Sequence, residues 1–376
     1  MKTIKTRAAV LRERTTITPY RKSKPLSIET VSLREPQEGE LLVKIKAAGL
    51  CHSDLSVING DRPRPLPMVL GHEAAGVVVK VGTWVADVGL GDHVILTLPS
   101  CGNCLQCNSG RAVLCDEGIK ANTEGTLLNG GVHLADSEGK QIYHHLGISA
   151  FAEYAVVSQH SVIPIDKTLP FDVAAVFGCA VITGVGAIIN RAKLRPEHSV
   201  LILGLGGIGL AALMAATAIK AKMIIVVDQN SEKLKIAQKL GATHTFVMQE
   251  SAIEDMKALC PGGVDVAADF TGSAQALEFA FQTTKRGGMT LSAGLPPPDA
   301  KITINPTKLV AEERKLVGSY LGSGIPQKDI QDYIKMYQEG RLPVDQLITH
   351  RINFDDINLG FDRLQEGQAI RQIIMF

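Results

Sequence analysis

A cysteine, a histidine and two carboxylates lie close together in the first quarter of the chain. They belong to Cys51-His52-Ser53-Asp54 and, after a loop rich in Pro and Gly, to Gly71-His72-Glu73-Ala74-Ala75-Gly76. Thiolate and imidazole are the ligands zinc prefers, and a catalytic zinc takes three protein ligands and keeps one position open. Cys51 and His72 are candidates for two of them. The third should lie far along the chain, and Cys179 in Gly178-Cys179-Ala180 is the obvious choice. A buried cysteine beside a structural histidine is the plain alternative for Cys51 taken alone. The features that follow favour the metal.

A second cluster, Cys101-Gly102-Asn103-Cys104-Leu105-Gln106-Cys107 with Cys115, has a different character. Four thiolates in one short segment make the usual closed, structural zinc site. An iron–sulfur cluster is the rival, because the bacterial ferredoxin run also starts C-x2-C-x2-C. That run places its fourth cysteine after three residues, with a proline behind it. Here the gap is seven residues and Asp116 follows. Zinc is the better fit, and with all four positions filled it should hold a lobe together. The chain has seven cysteines, an odd number, and no visible secretion signal. Metal ligands in a reducing cytoplasm are therefore expected, not disulfides.

The third constellation is Gly204-Leu205-Gly206-Gly207-Ile208-Gly209. Alone, GxGxxG says little. Here Ser199 to Leu203 reads as a buried strand before it and Leu210 to Lys220 as a helix after it. Met223 to Val227 reads as a second strand ending in Asp228, 19 residues beyond the last glycine. That is the setting of a dinucleotide fingerprint. The glycines let the backbone approach a pyrophosphate, and the helix N-terminus supplies N–H groups and a positive dipole. A carboxylate at Asp228 would accept hydrogen bonds from the ribose hydroxyls and repel a 2′-phosphate, so NAD is favoured over NADP. The next basic residue is Lys233.

The surrounding elements must position these groups. With 376 residues the chain is too long for one ordinary core, and two domains are expected. A net charge of +1 gives no field for nucleic acid or a membrane surface. Val200 to Ile219 is apolar enough to raise a membrane span, but its four clustered glycines split it into strand, turn and helix. Residues 1 to about 115 read as short, mostly antiparallel strands presenting loops. Residues 117–147 are polar and Gly-rich, and read as an excursion over the surface near the mouth of the site. The adjacent His144 and His145 are read as surface or pocket residues, not as ligands. Strands and helices then alternate from Ser199 to about residue 320, the pattern of a parallel sheet with helices on both faces. Within it, Ser231 should cap a helix that Gly241 stops. The tail beyond residue 324 is assigned back to the first domain.

Together these residues resemble the zinc-dependent alcohol dehydrogenases of the medium-chain dehydrogenase/reductase superfamily, from end to end. The resemblance also rests on Gly360-Phe361-Asp362 and Ile370-Arg371. It implies a mainly β, GroES-like catalytic domain over 1–180 and 325–376, and a Rossmann NAD-binding domain, a doubly wound parallel sheet, over 181–324. It implies two zincs per chain, one catalytic and one structural. Residue by residue, Cys51, His72 and Cys179 match the catalytic zinc ligands, and Glu73 an acid beside the metal that ligates it transiently. Asp54 matches the acid that orients His72, and Ser53 the hydroxyl that takes the alcohol proton. His52, Thr183, Lys233, Ala293 and Arg371 match cofactor contacts, Arg371 at the pyrophosphate and Thr183 at the nicotinamide.

The departures concern the pocket and the proton. His52 stands where relatives often carry Arg, and Ser56 where they often end the relay with a His. Thr97 and His145 stand where aromatics are common, which implies a roomier, more polar pocket. The reaction expected is reversible oxidation of an alcohol to an aldehyde or ketone with NAD, in a cytoplasmic homodimer or tetramer. A thiol-adduct formaldehyde dehydrogenase of the same fold is the nearer rival. It would need a basic residue such as Arg62, Arg64 or Lys120. A non-catalytic NAD-binding protein with two structural zincs is the other, and Ser53 beside the ligand set speaks against it.

Overall fold

The computed structural model describes residues 2–249 and 252–376. It forms two compact units. One comprises the chain up to Cys179, with Ile325–Asp332 and Ile348–Phe376; the other comprises Ala180–Gly324 and Tyr333–Leu347.

The first unit is built on strands. Thr3–Leu11, Leu26–Arg34, Leu134–Ala135, Gln141–His144 and Met68–Val69 close into a small barrel. Glu40–Gly49 pairs antiparallel with Glu73–Val81, and that strand with His93–Leu96. Arg371–Met375 pairs with Ala47, Ala48 and Gly49 on the opposite edge of the same strand, so the chain terminus is woven into the sheet that carries the site. Side chains that alternate along these strands fill one apolar core with Leu41, Val43, Ile45, Leu96, Phe151, Phe361 and Ile374. The expected surface excursion is corrected here. Residues 117–147 contain the helix Asp116–Glu124 and two of the barrel strands, and Leu127, Leu134 and Ile142 pack in a buried cluster. Those three apolar residues are spaced too sparsely among polar ones to signal burial by periodicity.

The second unit is a six-stranded sheet among the described residues, all pairs parallel. Its order is His244–Val247, Met223–Asp228, Ser199–Leu203, Val264–Asp269, Thr284–Ser292, Lys315–Gly318. The order reverses beside Ser199–Leu203, and ligands of such sheets bind at that switch point, at the strands' carboxyl ends. The glycine loop leaves there. Asn230, not Ser231, caps the helix Ser231–Lys239: its side-chain oxygen accepts the N–H of Glu232 at 2.9 Å. Both residue types cap well, so sequence alone could not choose between neighbours.

Two further features differ from expectation. Tyr333–Leu347 packs with the second unit, not with the rest of the tail. Tyr333, Leu342, Val344 and Leu347 are buried, and Asn190 Nδ2 donates to Tyr333 Oη at 3.3 Å. An apolar helix face shows that it is buried but not against what. The helix Phe171–Arg191 includes two π-helical turns, Phe177–Val181 and Ala187–Arg191. It is long and apolar enough to cross a membrane, but 94% of its most apolar window lies inside the fold, as in a core helix.

Candidate active site

Cys51 ends the loop after Glu40–Gly49 and precedes the helix His52–Ile58; His72 directly precedes the strand Glu73–Val81; Cys179 lies in the first π-helical turn. All three are buried, and one ligand atom from each lies within 4.8 Å of the others. The π turn is a local widening of the helix, common at functional sites. Gly178 makes it possible, since a Cβ there would meet the carbonyl oxygen of Leu96 at 2.4 Å. Thr97 Oγ1 donates to the Gly178 carbonyl at 2.9 Å and so fixes the turn from the neighbouring strand.

Asp54 organises the other two ligands. Its side chain is fully buried. Oδ2 accepts the N–H of Cys51 at 3.3 Å, and Oδ1 accepts that of Gly71 at 3.0 Å. Oδ1 also lies 3.1 Å from His72 Nδ1. A proton on that nitrogen leaves Nε2 with its lone pair, the state a metal requires. Burial alone would raise the Asp54 pKa, but the facing His72 and His145 rings outweigh it and hold it at about 2. The Cys51 thiol is pulled well below its usual range, first by the Cys179 thiol and then by His72. Cys179 is pushed up in return. The site thus favours the thiolate at Cys51 over that at Cys179.

Behind this cluster lies a charge pair far apart in sequence. Arg371 is buried, donates from Nη1 to the Leu50 carbonyl at 3.1 Å, and brings Nη2 to 3.6 Å from Glu73 Oε2. Burial opposes its charge, while Glu73, Cys51 and Cys179 favour it more strongly and raise its pKa. Arg371 therefore balances the negative charge of the ligand set. Nothing in the sequence marked it as a partner of Glu73, because only strand pairing of the chain terminus brings the two together.

The other expected residues fall as follows. Ser53, half-buried, and His52, exposed, open the helix His52–Ile58. Ser56 Oγ donates to the His52 carbonyl at 2.9 Å. Thr97 is corrected: it is fully buried and its hydroxyl is spent on Gly178, so it does not make the pocket polar. His145 is also buried, 3.1 Å from Asp54 Oδ1. Its backbone neighbour His144 is buried too, so of the two places expected for this pair, surface or pocket, the surface is excluded. Two adjacent histidines carry no periodicity, and only the closed barrel reveals their burial.

The four clustered cysteines meet in the loop around Leu105–Asn108. Their Sγ–Sγ separations include 3.6 Å for Cys104–Cys107 and 4.0 Å for Cys101–Cys107 and Cys104–Cys115. Tetrahedral zinc–thiolate bonding requires about 3.8 Å. Backbone N–H groups of Cys101 and Gly118 point at Cys115 Sγ, and that of Cys104 at Cys101 Sγ. Sulfurs that accept such bonds suit the thiolate form.

In the second unit the three fingerprint glycines have three different reasons. Gly204 has φ +87°, which only glycine adopts freely. A Cβ on Gly209 would stand 1.8 Å from the Gly204 carbonyl oxygen, so helix and strand approach closely. A Cβ on Gly206 would meet nothing within 4 Å, so its glycine is explained by neither strain nor packing. That open face fits a ligand approaching the backbone. Gly207 and Ile208 open the helix Gly207–Ile219. Asp228 ends its strand and accepts the N–H of Leu205 at 2.6 Å, tying the acid to the loop. Lys233 lies in the next helix, Ala293 follows Thr284–Ser292, and Thr183 is buried in Ile182–Gly186.

The chain matches two protein families over most of its length: the alcohol dehydrogenase GroES-like domain at residues 37–167 and zinc-binding dehydrogenase at residues 207–339. It is 36% identical over 384 residues to the S-(hydroxymethyl)glutathione dehydrogenase of Paracoccus denitrificans, covering 99% of this chain and 100% of that one. It is 38% identical over 378 residues to the putative alcohol dehydrogenase D of Mycobacterium tuberculosis, with the same coverage. The crystal structure of benzyl alcohol dehydrogenase from Acinetobacter calcoaceticus superimposes with a TM-score of 0.90 at 32% identity, over 100% of both chains.

Proposed function

Because the chain belongs to the zinc-dependent alcohol dehydrogenases of the medium-chain superfamily and is an oxidoreductase acting on alcohols, we propose that it oxidises an alcohol reversibly with NAD, using a zinc held by Cys51, His72 and Cys179. The observation that carries this reading is the convergence of two thiols and an imidazole, all buried, with the imidazole tautomer set by Asp54. Zinc, when bound there, supplies Lewis-acid polarisation of the alcohol oxygen. NAD is the hydride acceptor, and support comes from the open face of Gly206 and from Asp228 at its strand end.

This chain's own residues do the rest. Asp54 holds Cys51 and His72 in mutual register through backbone and ring. Arg371 balances the negative charge of the thiolates and of Glu73. Ser53, two residues from Cys51, receives the alcohol proton, because a hydroxyl both accepts and donates. Cys101, Cys104, Cys107 and Cys115 hold a second zinc that does no chemistry. A homodimer in the cytoplasm is the assembly and location we assign to it.

A second reading remains specific. The relative from Paracoccus denitrificans is named for a thiol-adduct substrate. Of the three basic candidates, Arg64 is near enough to influence His145, whereas Lys120 is exposed. Arg64 is thus one cation available to such an adduct's carboxylate.

The test is a panel of primary, secondary, aromatic and terpenoid alcohols with NAD or NADP, followed by nicotinamide absorbance, with and without thiols. Metal content is measured on the same preparation. The expected result is NAD-dependent turnover and two zincs per chain. No turnover of any alcohol, or faster turnover with NADP, would sink the proposal. Turnover only with added thiol would move it to the adduct reading.

A further inference from the structure

His145 has no role in the reaction as derived above, yet it is buried against the residue that organises the metal ligands. Its Nδ1 lies 3.1 Å from Asp54 Oδ1, the same oxygen that His72 Nδ1 approaches at 3.1 Å. The two rings meet edge to face, centroids 5.4 Å apart at 86°. The contact is too bent for a hydrogen bond, and among the described residues that buried nitrogen has no hydrogen-bond partner. An unprotonated nitrogen there would set lone pair against lone pair. The facing carboxylate favours a proton on Nδ1, and two imidazole nitrogens approach one Asp54 oxygen.

The chain goes to some trouble to hold His145 there. Leu146, Gly147 and Ser149, immediately after it, all have positive φ, at 52°, 65° and 57°. Leucine in that conformation is costly and persists only when the surroundings demand it. The N–H groups of Ile148 and Ser149 both donate back to the His145 carbonyl, at 3.0 and 3.2 Å. The His145 N–H in turn donates to Ser149 Oγ at 3.0 Å. That hydroxyl lies 3.3 Å from His144 Nδ1, and His144 Nε2 accepts the N–H of His133 at 3.1 Å. His133 Nε2 sits 3.1 Å from Glu40 Oε1 in the sheet. A run of buried polar groups thus anchors the turn from the far side.

We propose that His145 is a positioning residue of the metal centre: its Nδ1–H shares Asp54 with His72 and confines the carboxylate to the orientation that aims His72 Nε2 at the metal. The proposal rests on the reading that Cys51, His72 and Cys179 hold zinc. An aromatic at this position would keep the ring contact with His72 and lose the restraint on Asp54.

Zinc release from the purified holoprotein to a colorimetric chelator tests this, with no substrate present. Cys51→Ser identifies the phase of release that belongs to this site. If that variant keeps every phase of the wild type, the three-ligand reading fails and this proposal fails with it. Given that phase, His145→Phe retains a ring against His72 and removes the nitrogen. His145→Asn places an N–H where Nδ1 was and removes the ring. Loss of a partner behind a metal ligand costs about 10–100-fold in metal affinity, so His145→Phe should release zinc at least ~10-fold faster, and His145→Asn within about threefold of wild type. Cobalt-substituted protein should show a shifted ligand-field band in the phenylalanine variant and an unshifted one in the asparagine variant. Wild-type release from His145→Phe overturns the proposal. Equal acceleration in both variants also overturns it, because packing and not the shared proton would then be what matters. If the phenylalanine variant does not fold, His145→Ala against His145→Asn makes the same comparison.

Discussion

Two serines one helical turn apart illustrate how little a residue's type says about its role. Ser53 and Ser56 both sit on the helix that follows Cys51. Ser56 Oγ is committed to the His52 carbonyl four residues back, a bond helical serines commonly make. Ser56 is therefore in no position to extend a proton relay, whatever stands there in relatives. Ser53→Ala should lower turnover about 10²–10⁴-fold, the usual cost of removing a positioned acid–base group. Ser56→Ala should leave turnover within about threefold, since it removes only a backbone-directed hydroxyl. The rate of hydride transfer against pH for both variants is the measurement. Near-normal rates in Ser53→Ala would show that the proton leaves by another route.

At the scale of elements, the glycine turn between Ser199–Leu203 and Gly207–Ile219 separates folding from binding. Gly206 has φ −75° and open space where a Cβ would stand, so Gly206→Ala should fold at least as stably as wild type. The added methyl would occupy the approach to the pyrophosphate, and NAD affinity should fall about tenfold or more. Gly209→Ala should do the reverse. Its Cβ would lie 1.8 Å from the Gly204 carbonyl, so helix and strand must part, at roughly 3 kcal/mol of stability. Thermal melts and nicotinamide titrations of both variants read the two effects separately. A Gly206→Ala protein that binds NAD like wild type would remove the cofactor from this loop.

For the molecule as a whole, the buried histidines couple stability to acidity. His144 is pushed down to about 3 by burial and by the nearby His133, so it is neutral in the folded protein. Its unfolded value is about 6.5. Below that the unfolded chain takes up a proton that the folded one refuses. The folded state is therefore favoured above about pH 6.5 and loses stability as pH falls towards 3. At about 1.4 kcal/mol per pH unit the loss is on the order of 5 kcal/mol by the time pH reaches about 3. His144→Gln should flatten that part of the curve, and urea midpoints of both proteins from pH 7 to 4 measure it. The difference between the two proteins isolates His144 from acid loss of metal, which both share. Parallel curves would mean that His144 is not what makes the fold acid-labile.

Much of the chemistry was legible before any fold. Cys51 with His72, the four clustered cysteines, and the Gly204–Gly209 turn with Asp228 are local signals, whereas Cys179, far along the chain, is chosen by ligand type alone. Ligand type, short spacing and a strand-turn-helix setting each carry meaning within a few residues, and the parallel sheet follows from alternation along the chain. Tertiary structure decided what depends on distant strands meeting. The terminal strand Arg371–Met375 pairs with Glu40–Gly49 and so sets Arg371 beside Glu73. Barrel closure through Leu134–Ala135 and Gln141–His144 buries what reads as a polar loop, and carries His145 to Asp54. Thr97 is a pocket residue by position and a brace for Gly178 in fact. Hydrogen bonds and ion pairs between segments 80 to 300 positions apart leave no trace in local pattern, because their partners are chosen by the packing of the core and not by the residues between them.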